Sequence, residues 1–515
     1  MASTTAAAPP APYTGAALAL LTFVLAMANL MEVLDLTIAN VAIPTITGDL
    51  AVAPNQGAWV ITSYAVANAI TVAMTGWFAQ RFGQVRLYAF MIACFTAASL
   101  LCALATSLPM LVTFRVIQGA AAGFMVPLSQ ALLMGSFPPQ KRAMGLAVWA
   151  MTITVAPIIG PILGGWITDN YHWSWIFLIN LPVGVFAATA TWVMLRDRET
   201  ETRKLPIDGV GMGLLVLWVG ALQILLDKGN ELDWFHSDFI FALGVIGLVG
   251  FLLFMAWEFT EAHPVVDLGL FGFHNFSRGA ITLSLGYALF FASIVILPLW
   301  LQTQLGYTSQ WAGYAVAPGG VFAVLLAPFV GRAIANRRDP RMLATVGFAV
   351  FAAVAFWRAA FTSNVDFATV ALPQLLQGVG IAFFFTPLIS INLGGIPPAR
   401  IANATGLQNF LRMMMGSFGA SIAISAWDNR HQLHHSQLAE QVTAYSWQTR
   451  DYIDKLAGAG VPADQAYAQI DRMVTGEAYA LATNDIFWAV GWMFVLLMAL
   501  IWTTRPPFGA QAAAH

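Results

Sequence analysis

Apolar residues run along this chain in long blocks separated by short polar connections. A segment that crosses a bilayer as a helix needs roughly 20 predominantly apolar residues. By that measure the pattern predicts fourteen spans: 15–39, 58–79, 87–106, 109–133, 143–167, 175–195, 209–226, 239–257, 280–301, 311–334, 342–361, 368–393, 402–426 and 486–503. Two connections are long: a charged linker, 196–208, and a polar stretch, 427–485. Residues 1–14 lack a basic leader and read as a disordered tail, while 504–515 form a second tail.

An internal repeat lies within this pattern. Arg115-Val-Ile-Gln118-Gly119 is followed by Pro127 and Pro138-Pro139, and Gln374-Leu-Leu-Gln377-Gly378 by Pro387 and Pro397-Pro398. The Gln-Gly and Pro-Pro pairs keep an offset of 259, and the single prolines 260. Gly160 and Gly419 also keep 259, whereas Gly76 and Gly331, and Arg86 and Arg341, keep 255. The chain therefore divides into an N-terminal six-helix half (15–195), two extra helices (209–257), a connection (258–279) and a C-terminal six-helix half (280–503). Parallel six-helix repeats with substrate held between them are the plan of the major facilitator fold. The expected class is an all-α membrane protein of that fold with 14 transmembrane helices.

Composition agrees. The 515 residues are 59% hydrophobic and 9% charged, against about 25% charged in soluble domains. A net charge of −2 scattered over short loops gives no footprint for nucleic acid. Cys94 and Cys102 lie in one span about 12 Å apart if helical, too far for a disulfide, and read as apolar packers. Lys and Arg set the orientation. With the N-terminus in the cytoplasm, the inner loops hold fifteen of the 23 basic residues and the outer loops five, four of them in the long stretch 427–485. Both termini are expected in the cytoplasm. Arg115, Arg358 and Arg412 fall inside spans.

Candidate chemistry begins in the first span, Ala26-Met-Ala-Asn29-Leu-Met-Glu32-Val-Leu-Asp35-Leu-Thr-Ile-Ala-Asn40. Glu32 and Asp35 are three apart, about 60° around a helix, and Asn29 extends the polar stripe. An ionised carboxylate at mid-membrane costs roughly 2.5–3.5 kcal/mol even on the lenient scale. The pair should therefore face a bundle interior or a wet cavity, where the two acids could share a proton as a coupled pair. The alternative is a polar packing face with ordinary hydrogen bonds. Arg115 enters the fourth span at a depth similar to Asp35, so the two are expected to meet directly or through water. A static structural pair is the alternative there. Asn29, Gln118, Gln377, Arg412 and Phe384 are candidates to line a substrate cavity, although aromatic stripes such as Phe383-Phe384-Phe385 are more often core.

Several stretches resemble known families. Leu34-Asp35-Leu-Thr-Ile-Ala-Asn40-Val-Ala-Ile-Pro44 and Leu111-Val-Thr-Phe-Arg115-Val-Ile-Gln118-Gly119-Ala-Ala-Ala-Gly123 resemble motifs of the fourteen-helix drug:proton antiporters of the major facilitator superfamily. The resemblance implies that Asp35 is a functional acid and that Arg115 takes part in proton coupling. Ala156-Pro157-Ile-Ile-Gly160-Pro161-Ile-Leu-Gly164-Gly165 resembles the antiporter motif of exporters, which implies a seal and hinge between halves; helix packing alone is the alternative. Gly76-Trp-Phe-Ala-Gln80-Arg81-Phe-Gly83-Gln84-Val-Arg86 resembles the cytoplasmic gate loop, but Gln80 stands where the pattern has an acid and Gln84 where it has a base. Trp59-Val-Ile-Thr-Ser-Tyr64, Trp173 to Gly184, Leu226 to Trp234 and Arg505-Pro-Pro-Phe-Gly509 are similar to the EmrB-type group of exporters. That likeness implies the inner membrane of a Gram-negative bacterium, an EmrA-type periplasmic adaptor and a TolC-type outer-membrane channel.

The expected function is proton-coupled export of hydrophobic drugs, with the proton gradient as energy source and no cofactor. A dedicated metabolite or siderophore exporter is the nearest alternative. No phosphate-binding loop is apparent, which disfavours an ATP-driven pump. A channel would not need the repeat, and no metal cluster or nucleophile–base pair in the spans suggests an enzyme. His431, His434 and His435 share one helix face in the outer stretch, where a docking surface is the stronger reading than a metal site.

Overall fold

The computed structural model describes residues 13–52, 54–138, 141–204, 206–443, 445–506 and 508. Most of the two expected tails, and Pro139 of the first Pro-Pro pair, lie outside the described residues. The elements in chain order are α1 (Gly15–Asp49), α2 (Pro54–Gly57), α3 (Trp59–Phe82), α4 (Gln84–Ala103), α5 (Leu108–Ser136), α6 (Arg142–Asn170), α7 (Trp175–Leu178), α8 (Asn180–Leu195) and α9 (Gly209–Lys228). They continue with α10 (Asp238–Thr260), α11 (His274–Thr303), α12 (Ser309–Val316), α13 (Pro318–Ala335), α14 (Pro340–Arg358), α15 (Phe367–Leu393), α16 (Ile401–Ala439), α17 (Trp447–Gly458) and α18 (Ala463–Ile501).

Each expected span falls on helix. Two of them are broken. The span 175–195 is interrupted at Ile179, where Pro182 cannot donate to the Leu178 carbonyl. The span 311–334 is interrupted at Ala317, where Pro318 opens α13. Twelve helical segments are long and apolar enough to cross a membrane among the described residues. The long helices α6 (29 residues) and α16 (39 residues) pack in the bundle with them.

The repeat in the sequence is a repeat in packing. In the first half α1 lies on α6, α3 on α5, and α4 on α5 and α8; in the second α11 lies on α16, α13 on α15, and α14 on α15 and α18. The halves meet along two seams, α3 with α16 and α6 with α13, which the repeat exchanges. A Cβ on Gly76 would sit 2.7 Å from Asn403 Cα, and one on Gly331 would sit 2.9 Å from Met144 Cα. Both contacts need glycine, and they are the same contact seen from each half. The extra helices break the symmetry: α9 and α10 pair together, and α9 covers the α3–α16 seam alone.

Connections rich in Arg and Lys gather on one face, the basic face. There Glu199 accepts from the backbone N–H groups of Val85 (3.0 Å) and Arg86 (2.8 Å), tying the linker to the start of α4. On the opposite face the polar stretch 427–485 is largely helix, because α16 and α18 run on through it as a hairpin. A helix of 39 residues is about 58 Å long, nearly twice the roughly 30 Å hydrocarbon core. Trp427 Nε1 donates to Thr483 Oγ1 (2.8 Å), His431 stacks on Tyr479 (3.7 Å), and Arg430 and His434 both meet Asp485 (2.6 and 2.7 Å). His431, His434 and His435 thus face three different groups, His435 lying 3.4 Å from Asp471.

Candidate functional site

α1 is held by α5, α6 and α8, so its polar residues look in different directions along its length. Asp35 points into the first half. Its Oδ2 meets Arg115 Nη1 at 2.5 Å, and its Oδ1 accepts from Gln118 Nε2 (3.0 Å) and Asn180 Nδ2 (2.6 Å). Arg115 also donates to the Gln118 side chain (2.8 Å) and, through Nε, to the Val60 carbonyl (3.0 Å). Ser99 Oγ accepts from Gln118 and Asn180 and donates to the Phe177 carbonyl. The guanidinium lies 4.1 Å from the Tyr64 ring centre. Both charged side chains are essentially sealed from solvent, at 0% and 1% exposure. An arginine and two amide donors around one carboxylate group form the arrangement of charge-assisted hydrogen bonding.

Sequence reasoning found Asp35, Arg115 and Gln118 but missed Asn180, Ser99 and Cys102. Asn180 opens α8 just after the interruption at Ile179, and its amide reaches Asp35 on α1. Cys102 packs as expected, and its thiol also lies 3.5 Å from Gln118 Oε1. Isolated polar residues in apolar spans are the available signal for Ser99 and Asn180. Gln118 serves Asp35 and does not line a cavity between the halves.

Glu32 looks elsewhere. Its Oε1 accepts from Asn68 Nδ2 (2.9 Å) and lies 3.5 Å from the Tyr64 hydroxyl, while Oε2 is buried without a partner. No hydrogen bond joins it to Asp35 among the described residues. The acids share a helix but have separate surroundings, and Tyr64 stands between them with its ring on Arg115 and its hydroxyl toward Glu32. Arg412 approaches from the other half, over the Tyr287 ring at 5.1 Å. Asn409 Nδ2 donates to Gln130 Oε1 (2.9 Å), a buried link between α16 and α5.

The remaining candidates are placed as follows. Asn29 donates to Thr152 on α6. Gln377 accepts from Arg358 inside the second half. Phe384 is core, packed on Phe348, Phe351 and Phe385. In the antiporter motif, Gly160 meets Thr37 and Gly164 meets Ile38, so its small face grips α1 within one half. α6 reaches α13 of the other half elsewhere, through Ala143 and Met144 against Gly331. The side chains of Pro157 and Pro161 lie outside the described residues, and a Cβ on Gly165 would find only Val41, at 4.0 Å. In the gate loop, Gln80 donates to Asn403 Oδ1 (2.8 Å) across the seam, and Asn403 and Arg400 both bind Asp267. The acid missing at Gln80 is thus replaced by an amide bridge. Arg81 lies over Trp77 (5.4 Å), Arg86 is exposed beside Glu199 (4.0 Å), and Gly83 takes φ +89° with the Glu199 carboxylate against it.

The sequence profile of the Major Facilitator Superfamily matches residues 25–420. The chain is 47% identical over 500 residues to the multidrug export protein EmrB of Escherichia coli, covering 97% of this chain and 98% of that protein. It is also 47% identical over 504 residues to the fatty acid resistance protein FarB of Neisseria gonorrhoeae, covering 98% and 99%. Among solved structures, a double-tryptophan mutant of XylE matches with a TM-score of 0.62 at 13% identity, covering 98% of this chain and 99% of that one. That likeness speaks to the fold.

Proposed function

The chain belongs to the major facilitator superfamily, in the EmrB-type group of multidrug exporters, and we propose that it exports hydrophobic compounds in exchange for protons. It is a multi-pass membrane transporter, not an enzyme. The observation that carries the proton reading is the sealed Asp35–Arg115 pair on α1 and α5. Protonating Asp35 removes the charge that Arg115 faces, yet Gln118 and the Val60 carbonyl still receive the guanidinium. α1 is then held to α5 and α8 by weaker hydrogen bonds, with the ion pair gone. Because Gly160 and Gly164 grip α1 directly after Asp35, a change there passes to α6 and so to the α6–α13 seam. Each charge moved through 100 mV supplies about 2.3 kcal/mol, enough to drive export without ATP.

The basic face is the cytoplasmic one in this reading, with both termini there and the protein in a bacterial inner membrane. The α16–α18 hairpin then projects into the periplasm, where an EmrA-type adaptor leading to a TolC-type channel is the proposed partner. Proteoliposomes under an imposed pH gradient test the mechanism. Asp35→Asn should cut proton-driven efflux by at least about tenfold while leaving substrate binding; wild-type efflux with that variant would refute proton carriage by Asp35. The dedicated-exporter alternative predicts resistance to one compound class only, against several unrelated classes for a broad pump.

A further inference from the structure

The three arginines inside the spans are satisfied unequally. Arg115 has Asp35, Gln118 and a carbonyl, with Nη2 left without a partner. Arg358 has Gln377 and the face of Phe487, with Nε left without a partner. Arg412 is 6% exposed, its Nε has no hydrogen-bond partner, and it forms no ion pair among the described residues. Its guanidinium rests on Tyr287, and the acid whose charge reaches it is Glu32, on α1 of the other half. Glu32 keeps its own Oε2 unpartnered. A buried guanidinium on one half and a buried carboxyl group on the other thus each keep a polar atom without a partner.

What surrounds Arg412 is aromatic. Tyr287 stacks on Phe291 (5.7 Å) and meets Phe385 edge-on (6.1 Å), and Phe290 packs on both Tyr287 and Phe385. Gly416, one turn along α16, has no room for a side chain, because a Cβ there would lie 2.8 Å from the Tyr287 ring. The ring is thus fixed beneath the guanidinium. A buried arginine costs least when a carboxylate takes its planar fork of donors, and no protein carboxylate does so here.

We propose that Arg412 is the recognition site for an amphipathic anion, whose acidic head docks on the guanidinium and whose hydrocarbon tail lies along Tyr287 and Phe291. Its place in a transport cycle rests on the function proposed above; its binding does not. Glu32 opposes the same head group from the facing half and sets how tightly it is held.

Equilibrium binding to the purified full-length protein in zwitterionic nanodiscs tests this, using dodecanoate, dodecanol and dodecylammonium. Wild type should hold dodecanoate about ten- to a hundredfold tighter than dodecanol, the range expected of a charge-assisted hydrogen bond. Arg412→Gln should erase that preference and Arg412→Lys retain part of it. Glu32→Gln leaves Arg412 untouched and should tighten dodecanoate several-fold. Equal binding of acid and alcohol by wild type, a preference surviving in Arg412→Gln, or no tightening in Glu32→Gln would each overturn the site. Adding phosphatidylglycerol separates the sources of the anion: competition assigns a lipid head group, and its absence a single-chain acid. Intact acid preference with no efflux in proteoliposomes would sink the transport reading and leave this one standing.

Discussion

Arg115 on α5 and Asp35 on α1 meet at 2.5 Å with neither side chain open to solvent. Losing one partner of a buried pair costs about 3–5 kcal/mol, because the other charge is left uncompensated. Arg115→Ala and Asp35→Asn should each reduce pH-driven efflux by at least about tenfold, and the double variant should be less impaired than the product of the two. Full multiplicativity in a double-mutant cycle of efflux rates would show that the pair does not act as a unit.

Asn180 donates to Asp35 at 2.6 Å from the break between α7 and α8. Hydrogen bonds to charged groups contribute about 1.5–3 kcal/mol. Asn180→Leu should lower the melting temperature of the purified protein and weaken proton-driven efflux; Asn180→Gln, with a longer amide, should recover less than half. Unchanged stability and transport in Asn180→Leu would place Asn180 outside the working site.

Gly76 and Gly331 make the repeat-related contacts between halves near the basic face. A leucine at either position cannot fit while Asn403 and Met144 stay in place. Gly76→Leu and Gly331→Leu should both prop that side open and raise thiol-reagent labelling of a cysteine introduced at Gln80. Labelling that stays at the parent's rate would mean the seams have another way to close.

Gly160 lies directly against Thr37, and Gly164 against Ile38. Forcing extra methylenes into such a contact costs typically about 1–3 kcal/mol. Gly160→Leu should lower thermal stability and efflux together, whereas Gly165→Ala, with only Val41 at 4.0 Å, should change neither measurably. Equal losses in the two variants would contradict the contact to α1.

Asp485 receives both Arg430 and His434 across the hairpin. Asp485→Asn should speed amide exchange over 430–439 and 480–485 by hydrogen–deuterium mass spectrometry without changing exchange within α5. No local acceleration would show that Trp427, Thr483 and Tyr479 suffice to hold the hairpin.

The apolar blocks alone fixed where the spans lie, because a bilayer demands length and hydropathy that nothing else in a chain requires. The same rule could not see the α16–α18 hairpin, which is polar and is held by Trp427, His431 and Tyr479 between its two helices. The prolines behind both helix interruptions stand in the sequence, yet only the folded path shows that Asn180, two residues before Pro182, meets Asp35.

The sequence by itself determined the fold class and the repeat, and brought Asp35 and Arg115 to similar depth, since hydropathy, regular spacing and depth are one-dimensional quantities. Tertiary structure decided which neighbour each polar residue has. Glu32 and Asp35 look like one coupled pair on a helical wheel, but about 60° of rotation turns one toward Asn68 and the other toward Asn180. A helix buried on several sides gives every face its own chemistry, and only the packing of α3, α5, α6 and α8 around α1 says which.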